Sequence, residues 1–65
     1  MRLIVNGNET DVAADTFADL LLELGYEDMP VATALNMAVV RKKDRDSVRL
    51  KEGDRVEILV PMQGG

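Results

Sequence analysis

The chain opens with an alternation that puts Met1, Leu3 and Val5 on one side and Arg2 and Ile4 on the other. The break after it is Asn6-Gly7, the dipeptide that most favours a type I′ turn, because both central residues of that turn need positive φ. With this turn Val5 faces Asn8, Leu3 faces Thr10 and Met1 faces Val12. One face then carries Met1, Leu3, Val5 and Val12, and the other sets Arg2 and Ile4 against Asp11 and Glu9. The period changes at Thr16. Phe17, Leu20, Leu21 and Leu24 fall at i, i+3, i+4 and i+7, the stripe of an amphipathic helix. Thr16 is suited to the N-cap, Asp19 to the first turn, and Gly25 to a left-handed C-terminal stop. Leu22 lies off the stripe and is expected to be partly exposed.

Glu27-Asp28-Met29-Pro30 reads as a loop, Val31 to Leu35 as a third strand, and Asn36-Met37 as a turn into Val39-Val40. Residues 41–47 are charged and loop-like. Val48 and Leu50 anchor a short extended piece, and Lys51-Glu52-Gly53-Asp54 makes a turn. A last strand follows, with Val56, Ile58 and Val60 to one side and Arg55, Glu57 and Leu59 to the other. Pro61 lacks an N–H and ends it. The order is hairpin, helix, strands, final strand, with one helix stripe to cover one sheet face. This predicts an α+β, β-grasp (ubiquitin-like) domain over 1–61, a mixed sheet of four to five strands with one main helix across it. Residues 62–65, Met62-Gln63-Gly64-Gly65, form a tail expected to be flexible.

Composition narrows the chemistry. The 65 residues are 46% hydrophobic and contain neither cysteine nor histidine. That excludes Cys/His zinc sites, Ser/His and Cys/His nucleophile pairs, and an imidazole base near neutral pH. No metal site and no cofactor bound by this chain is expected, and no catalytic residue of its own. Residues 1–40 hold seven acids against Arg2 alone, whereas 41–65 hold seven bases against five acids. The basic run Arg41-Lys42-Lys43 is followed directly by Asp44 and Asp46, and only Phe17 and Tyr26 are aromatic. A solvated loop therefore fits better than nucleic-acid binding. The apolar runs are too short for a membrane span or a signal peptide, so a soluble, cytoplasmic domain is expected.

One place remains for chemistry, Gly64-Gly65. Glycines lack Cβ and let a backbone thread a channel that side chains would block. Extended, Pro61–Gly65 reaches roughly 17 Å. A terminal carboxylate there, with a pKa of about 3.3–3.7, is an anion able to attack an ATP α-phosphate held by a partner. Together with this end, the opening Leu3-Ile4-Val5-Asn6-Gly7, Thr16…Asp19-Leu20-Leu21, Ala34-Leu35-Asn36 with Val39-Val40, and Lys51-Glu52-Gly53-Asp54-Arg55-Val56 resemble the ThiS family, the sulfur carriers of thiamine biosynthesis. The resemblance covers essentially the whole chain. Gln63 stands where the family often has a small residue, and Arg41 and Arg45 where a proline and an aromatic are common.

The resemblance implies a protein that is itself a substrate. An E1-like enzyme, which binds the ATP and Mg, adenylates the carboxylate of Gly65. Sulfur delivered by another protein displaces AMP to leave a thiocarboxylate, and thiazole synthase receives that sulfur. Gly64 gives clearance, and Gln63 and Met62 complete the tail. A carrier also needs a docking face, and Ile4 and Leu59, both pointing away from the helix, are the candidates for a patch leading to Met62. The same tail chemistry serves carriers for molybdopterin or cysteine synthesis, and a ubiquitin-like modifier would end instead in an isopeptide bond. A passive interaction domain would need no tail chemistry at all.

Overall fold

The computed structural model describes residues 1–61. Five strands form one mixed sheet: β1 (Arg2–Val5), β2 (Asn8–Asp11), β3 (Ala32–Leu35), β4 (Ala38–Val40) and β5 (Arg55–Leu59). Their spatial order is β2-β1-β5-β3-β4, with the last strand in the middle. The β1–β5 pair is parallel and the other three pairs are antiparallel.

The N-terminal hairpin has the predicted register, with Leu3 opposite Thr10 and Val5 opposite Asn8. Asn6 and Gly7 sit at φ +50° and +84°, as a type I′ turn requires. Met1 and Val12 add a further rung, since the Val12 N–H donates to the Met1 carbonyl at 2.8 Å.

Helix α1 (Phe17–Glu23) crosses from the β2 edge to β3. Its start is fully accounted for. The Thr16 hydroxyl accepts from the Asp19 N–H at 3.1 Å, and the Leu20 N–H closes the first helical bond to the Thr16 carbonyl. The remaining free donors, the N–H groups of Phe17 and Ala18, reach the carbonyls of Val48 and Arg45. At the other end Gly25 takes φ +86°, and the N–H groups of Gly25 and Tyr26 return to the carbonyls of Leu22 and Leu21. That pair of bonds is a Schellman stop.

The core gathers Leu3, Val12, Ala14, Phe17, Leu20, Leu21, Val40, Leu50, Val56 and Ile58. Leu24 packs against its margin and Leu22 is half in solvent, as the helical stripe predicts. Two details differ from expectation. The segment 41–47 contains a 3₁₀ turn over Lys42–Asp44, and the Arg45 side chain is committed inward. Its Nη2 donates to the Val31 carbonyl at 2.8 Å and its Nε to the Thr33 hydroxyl at 3.2 Å. Residues 48–50 are the short extended piece expected: Arg49 makes an isolated bridge to Thr16 and Leu50 is buried, so the piece is a strut under the helix start. Val60 is 47% exposed and does not join Val56 and Ile58. It follows the last paired residue of β5, and Pro61 ends the ladder.

Phe17 is completely buried, and truncating a buried aromatic to alanine costs about 3–5 kcal/mol. A domain of this size holds roughly that much in total, so Phe17→Ala is expected to abolish the cooperative urea transition seen by circular dichroism. In the β3–β4 turn Met37 sits at φ +71° with 88% of its surface exposed. A left-handed conformation costs a residue bearing a Cβ about 1–2 kcal/mol. Met37→Gly is therefore expected to raise the urea midpoint, with a gain of about 1 kcal/mol.

Candidate functional site

Strand β5 is the last element of the described residues, which end at Pro61, so its two edges and its outer face set the course of the chain up to that point. On the β3 edge the Asn36 N–H donates to the Arg55 carbonyl at 2.7 Å, and the Arg55 N–H returns to Asn36 Oδ1 at 2.9 Å. The buried Asp54 carboxylate accepts from Asn36 Nδ2 at 3.1 Å and from the Lys51 N–H at 2.8 Å. These bonds fix the turn that feeds the strand. On the β1 edge the Asn6 side chain bonds both backbone groups of Ile58.

The face turned away from α1 is set by register. Ala32 stands opposite Leu59, Ala34 opposite Glu57, and Val39 opposite Ala34. These residues line a shallow groove of about 190 Å³ together with Thr33. Leu59 is 64% and Val39 81% exposed, and the two alanines leave the sheet low between them. The outcome is an apolar strip with Glu57 at one side, at the end of the sheet where β5 finishes.

Leu59 therefore lies where the sequence puts it, on the outer face near the end of β5. Ile4 shares that face but not that place. It aligns with Arg55, four residues before Leu59, which at about 3.3 Å per residue is roughly 13 Å along the strand. The two do not form one patch, because the parallel register leaves Ile4 beside a guanidinium. Leu59's apolar neighbours come from β3 and β4 instead. That was readable in principle: a two-residue turn over Asn36-Met37 sets Leu35 against Ala38 and so Ala34 against Val39. Met62, Gln63, Gly64 and Gly65 lie outside the described residues.

Two further clefts lie around Lys42 and Arg45. One, of about 400 Å³, is lined by residues 27–31 with Lys42 and Arg45, and the other lies between α1 and the 3₁₀ turn. Arg45 contributes to both but already spends its guanidinium on Val31 and Thr33. Lys43 lies 3.9 Å from the Asp44 carboxylate. Among the described residues no three acidic side chains converge as a metal site would need, and no helix is long and apolar enough to cross a membrane.

Known proteins share this architecture. The crystal structure of the thiamine biosynthesis protein ThiS from Geobacter metallireducens superposes with a TM-score of 0.84 at 35% identity, covering all of both chains. An NMR structure of a thiamine biosynthesis protein from the same organism gives 0.81 at 33%, covering all of this chain and 88% of that one. A thiazole synthase of Paramagnetospirillum magneticum is 35% identical over 66 residues. This chain spans about a fifth of that protein's length. The sequence profile of the ThiS family matches residues 3–65; with the β-grasp sheet, the helix across it and the match running into the last two glycines, the chain belongs to the ThiS family.

Proposed function

We propose that this protein is the sulfur carrier of thiamine biosynthesis, with the Gly65 carboxylate as its working group. The observation that carries the reading is the family match extending through Gly64-Gly65, a few residues past a strand held at both edges. In the first step a carboxylate oxygen of Gly65 attacks the α-phosphorus of ATP on an E1-like adenylating enzyme, and pyrophosphate leaves. The terminal sulfur of a persulfide on a sulfur-delivering protein then attacks the acyl carbon and AMP departs, leaving an acyl disulfide. A partner's thiol attacks the donor-side sulfur of that disulfide, forms a disulfide with the donor and releases the thiocarboxylate. The carrier supplies no acid, base or metal ligand to either step. Its contribution is delivery, and orientation of one carboxylate in a partner's site is worth several kcal/mol of the barrier.

Thiazole synthase is the proposed acceptor. A protein of that name contains, within one polypeptide, a segment similar to this entire chain, which supports a working association between the two units. Docking is assigned to the Leu59–Val39 strip, which adjoins the exit of the tail; Ile4 lies outside it.

Intact and top-down mass spectrometry, after incubation with ATP, the activating enzyme and a sulfur source, tests the chemistry. The expected product has one oxygen replaced by sulfur, localised to Gly65, and deletion of Gly64-Gly65 abolishes it. Conjugates to lysine that survive a reducing denaturing gel would instead make the chain a modifier. Transfer of the sulfur to a molybdopterin synthase large subunit, with none to thiazole synthase, would move it to another pathway.

The docking strip has its own test. Leu59→Asp and Val39→Asp alter exposed side chains and are expected to shift stability by no more than about 0.5 kcal/mol. Each is expected to weaken binding to the activating enzyme at least about tenfold in calorimetric titration. An equal loss from Ile4→Ser would assign the whole outer face to the partner.

A further inference from the structure

The Asn6 side chain makes a contact that its turn does not require. The parallel ladder between β1 and β5 runs over Ile4↔Arg55 and Val5↔Val56. Along that edge the Ile4 N–H donates to the Asp54 carbonyl and the Asn6 N–H to the Val56 carbonyl, each at 2.9 Å. One step further the chain has turned into the hairpin, and no backbone of β1 faces Ile58. The Asn6 carboxamide stands there instead. Its Oδ1 accepts from the Ile58 N–H at 2.9 Å and its Nδ2 donates to the Ile58 carbonyl at 3.1 Å. A primary amide offers one donor and one acceptor in a plane, as a peptide group does, so the side chain supplies one more rung to a strand that has run out of partner. Ile58 is buried at 3% exposure, and leaving its backbone groups unpaired would be costly.

Turn geometry alone does not choose asparagine here. At φ +50° glycine serves a type I′ turn equally well, but glycine has no rung to offer. The next residue, Leu59, is paired across the other edge to Ala32. Ile58 and Leu59 together are thus the last point at which β5 is gripped from both sides. Seven residues lead from Ile58 to Gly65, at most roughly 23 Å of extended chain, and the direction of β5 at this grip is where their course begins once the outer face is docked.

Resting on the carrier reading above, we propose that Asn6 is a positioning residue for loading of the C-terminus: its carboxamide clamps Ile58 and so aims the tail at the activating site. Asn6→Gly keeps the turn and deletes the clamp. Asn6→Asp keeps the turn and the acceptor for the Ile58 N–H, but sets an oxygen against the Ile58 carbonyl.

The test measures ATP-dependent pyrophosphate release by the activating enzyme against carrier concentration. Hydrogen exchange of the Ile58 amide is followed in parallel by NMR. Both variants are expected to lower kcat about five- to tenfold with KM for the carrier unchanged, and Asn6→Gly to speed Ile58 exchange about five- to tenfold relative to Val56. Loss of stability alone would remove folded carrier and raise the apparent KM while leaving kcat intact; that result, or an unaltered kcat, overturns the proposal. Wild-type chain that is never loaded overturns the carrier reading instead, and Ile58 exchange still reports whether the clamp exists.

Discussion

The pairing of β1 with β5 is the contact on which the rest of the molecule depends. Without it the chain is one hairpin, a three-stranded antiparallel unit of β5, β3 and β4, and a seven-residue helix, and neither a lone hairpin nor so short a helix is stable in water. The parallel ladder is short, yet it sets Leu3 and Val56, both essentially inaccessible to solvent, into one apolar surface. Phe17 and Leu20 of α1, equally buried, have a floor only because that surface is continuous from the first hairpin to the second.

The irregular segments are fastened to this frame by polar bonds in place of apolar area. The Glu23 carboxylate receives the N–H groups of Ala13 and Ala14 at 3.0 Å, tying the connector after β2 to the far end of the helix. Thr33, buried on β3, donates to the Val40 carbonyl at 2.7 Å and accepts from Arg45. Among the described residues every buried side-chain polar atom has a partner. A chain of 65 residues has few apolar contacts to spare, and an unpaired buried donor would cost about as much as a deleted methylene or two.

What was legible in the sequence follows from how local the cause is. The Asn6-Gly7 turn, the Thr16 cap, the helical stripe and the Gly25 stop are each decided within a few residues, and all stand where the pattern predicts. The inward face of β5 was legible for Val56 and Ile58 but not Val60, whose exposure depends on where pairing with β3 ends. Arg45 read as part of a solvated loop because its partners, Val31 and Thr33, lie at the far end of a hairpin. The Asn6 carboxamide is the same case at greater span, since nothing near residue 6 announces Ile58. For the outer face, alternation told which residues point outward, but only register told which of them are neighbours. Ile4 and Leu59 were thereby shown to be apart, and Val39 was brought in.

The position of β5 also has a consequence for when the sheet can form. The strand at the centre of the sheet is the last of the five in chain order and its parallel partner is the first, so the sheet cannot close until β5 is available. Such pairings over long sequence separation form slowly compared with local ones. A chain cut short before β5 leaves β1 and β3 without the strand that lies between them.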